Sequence, residues 1–179
     1  PLLADDSPRA RFFAAEALGR LAYQPAIPDL VSMLAANNDR DANLRHAGSL
    51  ALARIGEVSP AVALASHGPR GVRLAAIVAL RRMRHPDVAR FLSDADEQVV
   101  TEAARAVNDD GAIAAALPAL ARVLDERRFA SEPLLRRAIN ANLRLRTNDA
   151  AARVAAFAGD VSRPAAVRAT AAASRRRRR

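Results

Sequence analysis

The chain has 179 residues, 51% of them apolar, only 3% aromatic and about a quarter Ala. That length suits one domain or one compact array, and no apolar run approaches the ~18 residues of a membrane span. The absence of Cys excludes a disulfide scaffold, a CxxC zinc site, c-type haem attachment and a thiol nucleophile.

Few β-branched or aromatic residues and only 7 Gly point to helix rather than sheet. Helix starts are expected near Pro8, Pro25, Asp41, Pro60, Pro69, Pro86, Asp96, Gly111, Glu132, Asn148 and Pro164, about eleven in all. Along the chain one pattern recurs, an apolar-Arg pair followed by small and Leu positions at spacings of three, four and seven. Its copies are Ala10-Arg11-Ala14-Ala17-Leu18, Leu44-Arg45-Gly48-Ala51-Leu52 and Val72-Arg73-Ala76-Ala79-Leu80. They continue as Val99-Val100-Ala103-Ala106-Val107, Leu135-Arg136-Ile139-Asn142-Leu143 and Val167-Arg168-Ala171. N-cap or first-turn residues (Ser7-Pro8, Asp41, Pro69, Asp96, Pro133) stand before five of the stripes. Shorter apolar helices are expected between them at Ile27 to Ala36, Val62 to Ala65, Val88 to Leu92, Ile113 to Leu124 and Ala151 to Ala158. No period-two alternation appears, so no strand is expected.

Repetition of a helix–turn–helix unit near 30 residues resembles the HEAT-like superfamily of the short, PBS-lyase type. The resemblance covers the chain to about Ala173 and implies an all-α, right-handed α-solenoid of about five to six two-helix repeats. Certain segments depart from a generic repeat: Ser7 to Phe12, Leu44 to Ala47, Thr101 to Asp109 and Arg137 to Leu145. In this order they resemble the HEAT region of putative membrane-bound dehydrogenases of planctomycetes and verrucomicrobia. There a β-propeller precedes the array and a c-type haem domain follows it. The resemblance implies a non-catalytic spacer and docking array within a larger exported or periplasmic redox protein. Its partners would be other domains of the same polypeptide or a separate protein, with no membrane contact.

Seven residues stand out as candidate contacts: Arg45, His46, Glu102, Asn108, Asp109, Asn140 and Asn142. His46 either meets a partner or packs its ring where two layers join. Asn108 and Asp109 either form a contact surface with Glu102 or cap the turn before Gly111. Asn is a poor helix-interior residue, so Asn140 and Asn142 either tie layers together or bind something. The anchors Arg11, Arg45, Arg73 and Arg136 read either as a phosphate-tracking stripe or as a ladder bonding carboxylates and helix-end carbonyls of neighbouring repeats.

No nucleophile–base pair, Gly-rich phosphate loop or metal-ligand spacing is found, so no catalytic residue, cofactor or metal is expected. The three His lack i, i+4 partners. None precedes a Glu, which removes the iron-binding pattern of deoxyhypusine hydroxylase. Two rival functions share the architecture: nucleic-acid binding, as in HEAT-like alkylpurine DNA glycosylases, and bilin-lyase activity. Base work calls for aromatic platforms, and Tyr23 stands alone.

All basic residues are Arg, 28 against 19 acidic, giving +9. Five of them form the run Arg175 to Arg179, read as a disordered tail that binds polyanions only non-specifically. The array, residues 1–174, is expected to be cut at both ends, leaving Phe12 or Phe13 and Val167 more exposed than their interior equivalents.

Overall fold

The computed structural model describes residues 1–109 and 113–176. All the regular structure among them is helical, with no strand. The chain divides into two compact units, Pro1–Phe91 and Leu92–Arg179.

In the first unit, a single 3-10 turn at Leu2–Ala4 is followed by α1 (Pro8–Arg20), α2 (Ile27–Asn37), α3 (Ala42–Ile55), α4 (Val58–Ala63) and α5 (Arg70–Arg82). α1 packs on α3 and α3 on α5, while α2 and α4 cover the other side of this row. The capping chemistry explains the starts. Ser7 Oγ accepts from Ala10 N at 3.4 Å, and Asp41 accepts from Asn43 N at 2.8 Å. Small residues set the spacing: a methyl group on Gly19 would sit 2.7 Å from the Ala51 Cα, so α1 and α3 touch backbone to backbone.

The second unit holds α6 (Glu97–Asn108), α7 (Leu117–Arg122), α8 (Glu132–Leu145), α9 (Asn148–Gly159) and α10 (Ala165–Arg176). α6 packs on α8, α7 on α8, and α10 on α9 and α8. The core is aliphatic, with Val99, Leu120, Leu134, Leu135, Ile139 and Val154 sealed from solvent.

Helix starts follow the sequence reading within a few residues, with two differences. The expected Pro86 helix is an eight-residue 3-10 segment, Pro86–Ser93, whose Val88, Phe91 and Leu92 are buried. Spacing of three to four residues serves a tighter helix as well as an α-helix. The start placed at Gly111 lies outside the described residues, and the helical chain after it begins at Ala114. α8 begins at Glu132 as expected, with Pro133 in its first turn, and its N-cap is Ser131, whose Oγ accepts from Leu134 N at 3.5 Å.

That last point shifts the fifth repeat by one residue. Counted from their N-caps, the first stripe positions are Ala10, Leu44, Val72, Val99 and Leu134. Leu135 therefore occupies the anchor position of the fifth copy, and Arg136 lies one residue further on, exposed and paired with Glu132 at 2.6 Å. Asn142 consequently takes a Leu position, equivalent to Leu52, Leu80 and Val107.

Val167 also departs from expectation. It is fully buried, because it holds the same inward position as Leu134 and Val99, which faces the covering helix and not the open side of the array. Phe13, by contrast, is 54% exposed. Of the Arg175–Arg179 run, α10 extends through Arg176, and 177–179 lie outside the described residues.

Candidate interaction surface

Three of the turns before stripe helices share a motif, Asp-x-Ser or Asp-x-Asp. The first carboxylate accepts from the backbone N–H two residues on: Asp5 from Ser7 and Asp94 from Asp96 at 2.8 Å, Asp160 from Ser162 at 3.0 Å. The anchors Arg11 and Arg73 reach back into the turns before their own helices. Arg11 Nη1 donates to the carbonyls of Asp5 (2.5 Å) and Asp6 (3.2 Å), and Arg73 Nη1 to those of His67 (2.9 Å) and Gly68 (2.6 Å). Arg45 meets the Asp39 carboxylate. Each of these anchors reaches its own turn, because a guanidinium one turn into the helix lies within reach of the carbonyls just before it.

In the second unit two other arginines tie the turns of successive repeats. Arg128 donates to Asp94 O (2.5 Å) and Leu92 O (3.4 Å), and Arg163 donates to Glu126 O (2.7 Å) and Leu124 O (3.0 Å). Each lies in the turn of one repeat and holds the turn of the repeat before. Glu97 adds a link in the other direction, accepting from Ala130 N (2.8 Å) and Ser131 N (2.6 Å) ahead of α8.

Three of the seven candidate residues come together. Asn108 and Asp109 at the end of α6 and Asn140 on α8 line an open pocket of about 580 Å³, along with Pro133, Arg136 and Arg137. Its centre is an ion pair that sequence reading missed. Arg137 Nε and Nη2 grip both Asp109 oxygens at 2.7 to 3.2 Å. The hydrogen bond from Arg137, first among the causes, holds the Asp109 carboxyl below the usual carboxylate range, against desolvation acting the other way. Arg144 Nη1 donates to Asn108 O at 3.1 Å and closes the α6 end onto α8. The exposed Asn140 amide and the flanking Arg136–Glu132 pair leave a rim of donors and acceptors suited to the backbone of another chain.

The other four lie apart from this pocket. Arg45 is half-buried and engaged with Asp39, while its neighbour His46 is exposed and does not pack between layers. Glu102 stands half-buried on α6, 3.9 Å from Arg105. Asn142 is 1% exposed. Its Nδ2 donates to Ala121 O and Ala138 O, both at 2.9 Å, and its Oδ1 accepts from Arg153 Nη1 at 3.0 Å. Its side chain joins α7, α8 and α9 and presents nothing to a partner.

Among the described residues no group of His, Asp and Glu is placed to hold a metal ion, and no helix is long and apolar enough to cross a membrane. The described residues thus form an all-α helical-repeat fold. A family model described as HEAT repeats matches residues 1–66, and over that stretch the chain is similar to HEAT repeats, modules that generally mediate protein interactions. No curated protein matches the chain.

Proposed function

We propose that this chain is a non-catalytic protein–protein or interdomain scaffold whose docking face is the Asn108–Asp109–Asn140 pocket. In this reading it is the HEAT segment of a larger exported dehydrogenase or cytochrome-type redox protein. The observation that carries the docking face is convergence: three residues singled out because they break the repeat pattern meet at one open pocket formed by two elements. A fixed ion pair at its centre gives a rigid base, and the exposed Asn140 amide at its rim can pair with a partner backbone. Two sequence segments that depart from a generic repeat, Thr101 to Asp109 and Arg137 to Leu145, supply most of this surface.

The coding sequence on either side of the chain tests the parent. A β-propeller upstream and a CxxCH haem motif downstream support the redox reading, and flanks with neither reject it. Given the propeller domain, Asn140→Arg tests the face: the charge and bulk at the pocket rim should weaken its association with the array at least tenfold. Unchanged affinity removes the pocket from the proposal. A salt-titrated DNA-binding measurement separates the scaffold from the nucleic-acid alternative, since residues 1–91 carry 12 Arg against 8 carboxylates. Binding with a steep salt slope, retained after removal of 175–179, would favour that alternative.

A further inference from the structure

A separate pocket of about 520 Å³ opens within the second unit. One wall is the 3-10 turn Val123–Asp125 with Arg127 beyond it, and the other is the end of α9 with the turn before α10. These two walls pack on each other, so the pocket lies between repeats and is not an end face of the array. Leu124, Ala156 and Phe157 make its apolar part. Its polar part sets three guanidiniums, of Arg127, Arg153 and Arg163, against the carboxylates of Asp125 and Asp160, an excess of one positive charge.

The donors outnumber the acceptors that reach them. Arg163 is only 8% exposed, lies 5.2 Å from the centre of the Phe157 ring and holds the Leu124 and Glu126 carbonyls through Nη2. Its buried Nε makes no hydrogen bond among the described residues. Asp160 Oδ2 stands between two claimants, Arg163 Nε at 3.6 Å and Arg127 Nη2 at 3.3 Å, and completes a hydrogen bond with neither. Arg153 gives Nε to Asp125 and Nη1 to Asn142, which leaves Nη2 beside the pocket. A buried N–H without an acceptor is costly. One more carboxylate, taking over Arg127, would let Asp160 close on Arg163 and satisfy both donors. A carboxylate fits the guanidinium fork, its single charge cancels the excess, and an apolar body attached to it would cover Leu124 and Phe157. We propose that this pocket binds a small organic carboxylate, its headgroup on Arg127 and Arg153 and its body against Phe157. This inference does not depend on the function proposed above, whose pocket is formed by α6 and α8.

Benzoate is the probe. Titrated at constant ionic strength into the isotope-labelled 1–179 chain, it should shift the amide resonances of 125–128 and 157–163 saturably. Benzyl alcohol, the same ring without the charge, should not. Arg127→Gln changes a side chain that is 75% exposed, so circular dichroism should be unchanged while the dissociation constant rises about tenfold. Asp160→Asn keeps the oxygen that accepts from Ser162 and removes the carboxylate competing for Arg127, so it should tighten binding. A turn merely loosened by substitution would not give these opposite effects. Arg82→Gln, at an exposed arginine of the other unit, should leave the affinity as it was. No saturable shift at those amides in millimolar benzoate overturns the proposal. So does an equal response to benzyl alcohol, or an affinity that either pocket substitution fails to move in its stated direction.

Discussion

Asn142 shows how one polar side chain substitutes for a leucine. It fills a stripe position, but its amide satisfies the Ala121 carbonyl at the end of α7 and also holds Arg153 of α9. Asn142→Ala would leave both partners short of a bond and open a void, and should cost about 2–3 kcal/mol, read as a lower midpoint in denaturant. Asp109 contributes to the acid sensitivity of the same unit. Its carboxyl is held below its unfolded value, so its stabilising effect is complete above the ordinary carboxylate range and is lost as pH falls through the folded value. Thermal stability should therefore hold at neutral pH and decline below about pH 4, the decline being shallower in Asp109→Asn. Ala22 sits at φ 48° in the turn after α1, a left-handed conformation that disfavours a side chain. Ala22→Gly should raise stability by about 0.5–1 kcal/mol, which equilibrium unfolding can resolve.

Helices here were legible where caps and stripes agreed, and misread where two registers were possible. At the start of α8, Leu134 and Leu135 are adjacent, so the apolar spacing could be satisfied one residue late. The Ser131 cap settled the register only once the turn was folded. The Asp-x-Ser and Asp-x-Asp turns were readable as local patterns. The Arg128 and Arg163 ties were not, because they span 34 to 39 residues and follow no apolar period. The docking pocket was half visible: Asn108, Asp109 and Asn140 stood out as misfits, but Arg137 resembled any solvated helix arginine. Between helices, small residues carry the packing. Gly19→Ala would force its methyl against the Ala51 backbone, which cannot swing aside as a side chain can. A loss of about 1–3 kcal/mol is expected, and α1 should loosen from α3 first.

At the scale of the molecule, stability should vary along the chain, since a repeat array is held by contacts between neighbours. α5 has helices packed against it from α2, α3 and α4 and buries residues along most of its length, from Gly71 to Leu80. α1 buries only Ala14, Ala15 and Gly19. Hydrogen exchange should accordingly be much slower for the central amides of α5 than for those of α1. Equal protection in the two would mean that the first unit opens only as a whole.

The arginine ties between turns have a direction. The turn before α6 is held by Arg128, which belongs to the turn before α8, and that turn is held by Arg163, just ahead of α10. Both arginine knots are thus tied by chain that comes later. During synthesis, each turn must wait for 34 to 39 further residues to emerge before its carbonyls find their guanidinium. Loosening the start of α10 frees the Leu124 and Glu126 carbonyls, while the turn before α8 keeps its bonds to Glu97. The second unit is thus laced in both directions, and the arginine half of the lacing is the part completed last.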